Sequence, residues 1–247
     1  MVVLVTRPNV EGHELCMMLN ESGIASLHHP LINIEPSSKI TGLDRALQRA
    51  DIVIAVSQHA VSYAHQYLQE HALNWPKTSH YLAVGQKTAQ LLSKLSQQKV
   101  NYPSQSDSEH LLELDELQNV AHQKIVILRG NSGRELIYQT LDKRMADVSY
   151  VETYTRQHLD FNSDSKVIQW QEAKVSHLVV TSSDQLTHFL SQLTSAQIHW
   201  IQTLQLYVPS ERIARQAKAL GFVYITNVGS ATNKELLAAL RLNKQDD

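Results

Sequence analysis

The chain has 247 residues, of which 43% are hydrophobic and 19% are charged, and its 22 basic and 24 acidic side chains give a formal net charge of −2. This length corresponds to one large domain or two small ones, with enough apolar residues to form real cores. A charge this balanced excludes a disordered charged tail and argues against nonspecific nucleic-acid binding, which requires a basic face.

No apolar run approaches the ~20 residues of a membrane helix, and the apolar start of the chain lacks the basic flank and cleavage site of a signal peptide. We therefore expect a cytoplasmic protein that does not associate with membranes. Cys16 is the only cysteine, so the sequence excludes an internal disulfide and a thiolate metal cluster.

Short runs rich in Val, Ile and Leu alternate with segments of helical period, which is typical of βα units around a largely parallel sheet covered on both faces. The predicted strands, in chain order, are Val2–Thr6, Ile24–His28, Ile52–Ser57, Tyr81–Gly85, Ile125–Arg129, Val148–Glu152, Leu178–Ser182, Gln205–Val208 and Val223–Thr226. Apolar residues spaced three or four apart predict helices around Leu15, Val61, Leu186 and Leu236. We also expect Ser108 to cap a helix after the polar loop 102–108.

The two halves of the chain resemble each other weakly. The triplet Gly12, Glu14 and Leu15 is repeated as 133, 135 and 136, and Arg7 and Arg129 both close a predicted strand. A repeat near 125 residues is too long for a solenoid, so it indicates two related domains.

Six predicted strands end in a small hydroxylated residue or a glycine and are followed by a helix. These ends are Thr6-Arg7-Pro8-Asn9, Ser57-Gln58-His59, Gly85-Gln86-Lys87, Arg129-Gly130-Asn131-Ser132-Gly133, Ser182-Ser183-Asp184 and Ser210-Glu211-Arg212. Free N–H groups and the helix dipole make such ends suitable for carboxylates or phosphates. Any single Ser or Thr here is more simply an N-cap worth about 1 kcal/mol. Six of them at the carboxyl ends of parallel strands favour a ligand site.

The turn after Arg129 contains two glycines but neither a third Rossmann glycine nor a Gly-Lys-Ser/Thr ending, so NAD and ATP are not indicated. It can be explained as a tight turn that needs Gly and Asn. Arg129 and Arg134 nevertheless place two permanent cations beside it, which suits a polycarboxylate.

The thirteen histidines lack metal-ligand spacing, because His28 and His29 are adjacent on a strand and His59, His65 and His71 recur every six residues. We assign no metal ligand. The chain also lacks a Gly-x-Ser-x-Gly elbow and a local nucleophile–base pair. Tyr154 continues a strand out of a predicted domain, where it is either a packed aromatic or a phenol that donates a proton to a leaving group.

The chain resembles uroporphyrinogen-III synthases over essentially its whole length. The matching segments are Leu4-Val5-Thr6-Arg7-Pro8, Pro30 to Glu35, Asp51 to Ser57, Ala83 to Ala89, Ile127 to Gly130, Gly133-Arg134, Tyr154, Val180 to Ser183 and Leu220-Gly221-Phe222. Each segment is weakly specific, but their order and spacing together are distinctive.

The resemblance implies an α/β fold of two similar domains, each a five-stranded parallel sheet flanked by helices, joined by a two-stranded linker. Residues 1–34 and 155–247 would form the first domain and 35–154 the second, with linkers Pro30 to Pro36 and Val151 to Gln157. Five strands in the second domain require a further short strand at Lys99 to Tyr102.

The resemblance also implies the reaction, in which hydroxymethylbilane, a linear tetrapyrrole with eight carboxylates, loses its hydroxyl as water and cyclises to uroporphyrinogen III. Ring D is inverted through a spiro intermediate, and the substrate is held in the cleft between the domains. This is a lyase step of porphyrin, tetrapyrrole and heme biosynthesis that needs no cofactor and no metal. The enzyme would act mainly by positioning, since ~1.4 kcal/mol between competing barriers changes the product ratio tenfold.

Carried over residue by residue, Tyr154 matches the tyrosine proposed to assist departure of the hydroxyl. The residues that match positions lining the cleft are Thr6, Arg7, Ser57, Gly85, Thr88, Arg129, Gly130, Ser182 and Ser183. The family's Gly-x-x-Thr-Ala is here Ser210-Glu211-Arg212-Ile213-Ala214, so the contact that a threonine hydroxyl at 213 would make is either lost or supplied by Ser210.

We expect a monomer whose partners are the linear tetrapyrrole and, transiently, the preceding enzyme of the pathway, with no nucleic acid or membrane partner. The alternative from another class is a non-catalytic two-domain binding protein for an anionic small molecule. The isomer formed from hydroxymethylbilane separates these hypotheses.

Overall fold

The computed structural model describes residues 1–244, which form two compact units. One unit consists of residues 1–34 with 157–244, and the other of residues 35–156. The sequence predicts domain boundaries at 34/35 and at 154/155. The first coincides with the boundary between the units, and the second lies two residues before it. The last three residues of the predicted first domain lie outside the described residues. That each unit is a domain able to fold alone stays a prediction.

The first part of the chain forms two parallel strands and then enters the second unit. Its elements are β1 Val2–Val5, α1 Asn9–Glu21, β2 Ala25–His28 and β3 Ile32–Pro36. Pro8 immediately precedes α1 and needs no N–H partner, so it suits a helix start.

The central part of the chain contains a series of βα units. Its elements are a 3₁₀ turn Ser38–Ile40, α2 Leu43–Arg49, β4 Ile52–Ala55, α3 Gln58–Glu70, β5 His80–Ala83, α4 Gln86–Ser96, β6 Val100–Asn101, α5 Ser108–Leu111, a second 3₁₀ turn Asp115–Leu117, β7 Lys124–Gly130, α6 Leu136–Lys143 and β8 Asp147–His158. The chain passes between the units within β3 and again within β8.

The last part of the chain completes the first unit. Its elements are α7 Ser163–Glu172, β9 His177–Val179, α8 Ser183–Ser191, α9 Ser195–Gln202, β10 Gln205–Val208, α10 Glu211–Ala219, β11 Ile225–Asn227 and α11 Asn233–Lys244.

The sheet of the first unit has the strand order β11-β10-β9-β1-β2, and every neighbouring pair is parallel. Side chains of β1 alternate between two apolar clusters, with Leu4 on one face and Val3 and Val5 on the other. The first cluster includes Trp170 and Phe189. A strand buried on both faces needs apolar residues at every position, which explains the continuous run at the start of the chain.

The sheet of the second unit has the order β3-β8-β7-β4-β5-β6. The five strands from β8 to β6 are parallel and include the short strand expected near residue 100. The edge strand β3 is antiparallel to β8. Two hydrogen bonds show this orientation: Ser37 N–H donates to the Thr153 carbonyl, and Leu159 N–H donates to the Leu31 carbonyl. The predicted fold class of two helix-flanked parallel sheets is confirmed.

Local predictions differ from the structure at one helix cap and at several strand ends, such as that of β9, which ends at Val179 instead of Ser182. Asp107, and not Ser108, caps α5, and its carboxylate accepts from His110 N–H at 2.8 Å. A carboxylate at a helix start also interacts favourably with the helix dipole. The last strand begins at Ile225, two residues later than expected. The side chains of Val223 and Tyr224 are exposed, although the Tyr224 carbonyl still accepts from Leu206 N–H of β10.

Among residues 1–244, no helix combines the length and the apolar character needed to cross a bilayer.

Candidate active site

The most constrained group of predicted site residues surrounds Tyr154 in the second unit. The strands β7 and β8 pair in register up to Arg129 and Glu152, and then Gly130 pairs with Tyr154, so that Thr153 is an extra residue. Such a bulge redirects the side chains that follow it. The Tyr154 side chain lies against Gly130, where an added Cβ would be 2.6 Å from the ring. Only glycine permits this approach.

The Tyr154 ring is 2% exposed and is enclosed by aromatic groups of α3. The His59 ring lies 5.6 Å from it between centroids, and the Tyr63 ring lies 6.2 Å away, inclined by 25°. Both residues belong to the first two turns of the helix that Ser57 caps. The sequence predicts an aromatic side chain at Tyr154, and the structure shows that its ring is held by contacts on several sides.

The phenol oxygen of Tyr154 accepts hydrogen bonds from two side chains. Ser57 Oγ donates to Tyr154 Oη at 3.2 Å, and Arg156 Nη2 donates at 3.3 Å. Ser57 Oγ in turn accepts from Ala60 N–H at 3.1 Å as the N-cap of α3. One hydroxyl therefore caps α3 and contacts the phenol, and a contact between Ser57 and substrate stays a prediction.

Arg156 is a neighbour of the phenol that was not predicted from the sequence. It stands two residues after Tyr154, and the period of two along a strand could have placed both side chains on one face. Its guanidinium also lies 5.6 Å from the centre of the Tyr154 ring. Asn131 fixes the Arg156 backbone, since Asn131 Oδ1 accepts from Arg156 N–H at 2.9 Å and Asn131 Nδ2 donates to the Arg156 carbonyl at 3.2 Å.

Arg129 is buried, and its guanidinium already has a carboxylate partner. Arg129 Nη1 donates to Glu135 Oε1 at 2.7 Å, and the Tyr150 hydroxyl donates to Glu135 Oε2 at 2.7 Å. The guanidinium also lies 4.3 Å from the centre of the Tyr150 ring. Burial acts to lower the pKa of Arg129, but the Glu135 and Tyr150 contacts outweigh it and raise that pKa. The hydrogen bond from Tyr150, followed by that from Arg129, lowers the pKa of Glu135.

A cavity of about 130 Å³ opens beside Arg129. Its walls are Val56, Val84, Ser108, Ile127, Arg129, Ser132, Gly133, Arg134, Ile137 and Tyr150. Pockets that enclose drug-sized ligands measure roughly 300 to 1,000 Å³. This cavity can therefore accept a single side chain of a ligand, and a whole tetrapyrrole would not fit inside it. The second predicted cation, Arg134, is paired with Glu109 at 2.9 Å.

Gly85 and Thr88 belong to the start of α4. Gly85 is the N-cap in an extended conformation, and an added Cβ would be 2.7 Å from Ser106 Oγ, so the loop packs closely over this helix start. Thr88 is 8% exposed, three residues further on. Ile213 occupies the corresponding place after Ser210 and is 3% exposed in an apolar cluster. Both positions point into their own unit, which explains why an apolar residue is accepted at 213.

In the first unit, Thr6 and Arg7 have internal partners. Thr6 is fully buried, and its hydroxyl donates to the Val179 carbonyl at 2.8 Å. Arg7 Nη1 donates to the Ala231 carbonyl at 2.6 Å and to Asn233 Oδ1 at 2.8 Å, which ties β1 to the start of α11. Burial lowers the pKa of Arg7 despite the nearby carboxylates of Glu11 and Glu14.

Two further helix starts of the first unit contain the remaining predicted residues. Ser182 caps α8 by accepting from Gln185 N–H at 3.1 Å, and Ser183 Oγ accepts from Arg212 Nη1 at 2.7 Å. Ser210 is the N-cap of α10 but makes no side-chain cap bond. Arg212, which the sequence indicated only as part of a turn, therefore links α10 to the start of α8. The structure brings Ser57, Gly130 and Tyr154 together in one unit, and it joins Ser183 to α10 in the other.

Among the described residues, no group of three or more His, Cys, Asp or Glu side chains could hold a metal ion.

Comparisons with known proteins agree over most of the chain. The family model described as uroporphyrinogen-III synthase HemD matches residues 14–238. A uroporphyrinogen-III synthase from Escherichia coli (strain K12) is 39% identical over 246 residues, covering 98% of this chain and 100% of the relative. One from Synechococcus elongatus is 29% identical over 198 residues, covering 78% and 75%.

Solved structures support the same fold. A mutant uroporphyrinogen III synthase from the extremely thermophilic bacterium Thermus thermophilus covers 100% of both chains with a TM-score of 0.69 at 13% identity. The uroporphyrinogen-III synthetase from Helicobacter pylori 26695 covers 98% of both with a TM-score of 0.61 at 16% identity. With the family model and the 39% identical relative matching almost the whole sequence, the chain belongs to the uroporphyrinogen-III synthase family, whose members are cyclising lyases of porphyrin and heme biosynthesis.

Proposed function

We propose that this chain converts hydroxymethylbilane into uroporphyrinogen III by removing the hydroxyl as water and closing the ring with inversion of ring D through a spiro intermediate. The observation that carries this proposal is family membership over nearly the full length. The fixed phenol of Tyr154 supports the dehydrating step. That the substrate lies between the two domains remains a prediction.

Tyr154 is our proposed proton donor to the departing hydroxyl. The carbon–oxygen bond breaks with both electrons going to the oxygen, which takes the phenol proton and leaves as water. The pyrrole nitrogen supplies the electron pair that forms the azafulvenium cation and keeps its own proton. The proton released from the terminal pyrrole carbon when the macrocycle closes returns to the phenolate, so that the protein is unchanged after one turnover.

The substrate carboxylates would be bound at helix starts, where free N–H groups and the helix dipole favour anions. The residues proposed as substrate contacts are Ser57, Gly85, Gly130, Ser182, Ser183 and Ser210, together with the partly exposed cation Arg7. Thr6 is assigned a structural role because its hydroxyl donates to the Val179 carbonyl, and Thr88 stays a proposed substrate contact. Arg129 contributes by holding the 130 Å³ cavity in shape through its pair with Glu135.

Product analysis tests this function directly. Freshly prepared hydroxymethylbilane is incubated with the protein, and the uroporphyrinogen formed is oxidised to porphyrin so that its isomers can be separated. We expect the type III isomer to replace the type I isomer that forms spontaneously. Formation of type I alone would refute the proposal and favour the non-catalytic binding protein.

The phenol is tested by Tyr154→Phe. General acid catalysis contributes roughly 10²- to 10⁴-fold, so we expect kcat for the type III isomer to fall by about 100-fold without loss of the folded state by circular dichroism. Tyr102→Phe is the matched control, because Tyr102 is an exposed tyrosine of the same unit. An unchanged kcat in Tyr154→Phe would leave Tyr154 with a packing role only.

A further inference from the structure

Arg156 is a cation beside the proposed proton donor. Its guanidinium donates to Tyr154 Oη at 3.3 Å and also lies over the edge of the same ring, 5.6 Å from its centre. Within the part of the chain that the structure describes, no carboxylate forms an ion pair with Arg156. Its positive charge is therefore not neutralised by a neighbouring acid.

Arg156 is the neighbour of the phenol that can only donate. The phenol oxygen has two lone pairs and one proton. Arg156 Nη2 donates to it at 3.3 Å, and Ser57 Oγ, which accepts from Ala60 N–H, lies 3.2 Å away. A serine hydroxyl can donate to the phenol or accept from it, whereas a guanidinium has no acceptor. The direction of the hydrogen bond is therefore fixed for Arg156.

The same arrangement favours the phenolate that remains after the proton has been given away. Two donors already aimed at an oxygen that becomes negative need no reorganisation during the reaction. One of the two is charged, and hydrogen bonds with an ionised partner are about twice as strong as neutral ones. Arg156 should therefore stabilise the transition state of dehydration more than it stabilises the resting enzyme.

The backbone around Arg156 is built to keep this geometry. Asn131 binds both the N–H and the carbonyl of Arg156, and the Asn131 N–H donates to the Tyr154 carbonyl at 3.1 Å. Gly130 lies beneath the ring. The phenol and the guanidinium are thus both on β8, and the Arg156 backbone is held by Asn131, the first residue after β7.

We infer that Arg156 is a positioning residue of the proposed reaction: its guanidinium holds the phenol oxygen of Tyr154 by a hydrogen bond and stabilises the phenolate formed when the hydroxyl leaves. This inference rests on the proposed function. The proton passes from Tyr154 Oη to the departing oxygen, the carbon–oxygen electron pair leaves with the water, and the guanidinium itself neither gains nor loses a proton.

A double-mutant cycle between Arg156 and Tyr154 tests the inference. The variants are Arg156→Gln, Tyr154→Phe and the combination, each assayed for kcat and KM of type III formation. We expect Arg156→Gln to lower kcat at least about tenfold while KM changes less than about twofold, because the loss affects the transition state. In the Tyr154→Phe background the same change should have less than about a twofold effect.

Two further variants separate positioning from general effects. Arg156→Lys restores the charge without the planar fork, so it should recover part of kcat, and it carries the test if Arg156→Gln fails to fold. Arg45→Gln is the matched control, because Arg45 is an exposed arginine of α2 without an ion pair among the described residues. It should leave kcat, KM and the unfolding midpoint unchanged.

The outcomes distinguish the inference from the function on which it rests. A wild-type protein that forms only the type I isomer overturns both. A wild-type protein that forms type III, with losses in Arg156→Gln and Tyr154→Phe that multiply in the double variant, overturns the inference alone. So does a loss that appears only in KM, because Arg156 would then be a carboxylate contact.

Discussion

His29 makes the first unit sensitive to acid. Its ring packs edge-on against Phe161 and Trp170 with centroid distances of 4.6 and 5.0 Å, and its Nε2 is buried without a hydrogen-bond partner among the described residues. Burial, with smaller contributions from Lys166 and His28, lowers the pKa of His29 from 6.5 to about 4. The folded state therefore disfavours the protonated ring.

The sign and size of the effect follow from this lowered pKa. Above pH 6.5 the ring is neutral in the folded and unfolded states, so it costs no stability. As the pH falls below 6.5, the His29 ring becomes protonated in the unfolded chain but not in the folded protein. The free energy of unfolding therefore falls progressively down to about pH 4. The full pKa difference corresponds to about 3 kcal/mol, of which about 2 kcal/mol is lost by pH 5. Because part of the ring remains in contact with water, we expect about 1 to 2 kcal/mol at pH 5.

Urea unfolding of wild type and His29→Leu at pH 7 and pH 5, followed by circular dichroism, measures this contribution. The wild-type protein should lose about 1 to 2 kcal/mol more than His29→Leu between the two pH values. The loss of aromatic contacts in His29→Leu is common to both values and cancels. His13→Gln, which removes an exposed histidine of the same unit, should follow the wild type. An equal pH dependence in wild type and His29→Leu would refute the reasoning.

Two other substitutions test the close contacts of the sheets. Gly130→Ala places a Cβ 2.6 Å from the Tyr154 ring, so the ring must move. We expect a free energy of unfolding lower by about 1 to 3 kcal/mol and a reduced kcat. An unchanged kcat would show that the ring position is not required. Thr6→Val removes the buried hydroxyl bond to Val179 and should lower the free energy of unfolding by about 1 kcal/mol with KM unchanged, whereas a raised KM would return Thr6 to the substrate contacts.

The strands could be predicted from the sequence because both sheets are buried on two faces. Under that condition every position of a strand is apolar, and runs such as Val2 to Val5 and Ile52 to Ala55 stand out from the helices. The strand limits were less predictable where exposure interrupts the run, as at Val223 and Tyr224. The edge strand β3 has a mixed polar sequence, so its pairing with β8 had no local signal.

The sequence predicted which positions belong to the candidate site but not the contacts between their side chains. Tyr154 stands out as an aromatic leaving a strand, but the extra residue Thr153 that turns it over Gly130 has no marker in the sequence. The pairing of Arg129 with Glu135 depends on a turn in which Gly133 has a φ of 145°. The residue type alone predicted Arg129 as a cation available to a ligand, but in the structure it is paired with Glu135.

The order of the strands in the first sheet affects how the chain folds during its synthesis. Strand β1 lies between β2 and β9, and the Thr6 hydroxyl bonds a carbonyl 173 residues later in the chain. At a translation rate of roughly 5 to 20 residues per second, this partner leaves the ribosome about 10 to 35 seconds after the first strand. The middle segment can complete its own sheet during that interval, while the apolar N-terminal strand waits without a neighbour on one side. Newly synthesised chains should therefore expose this apolar strand for longer than a chain in which every strand pairs with its sequence neighbour, and unpaired strand edges favour association between chains.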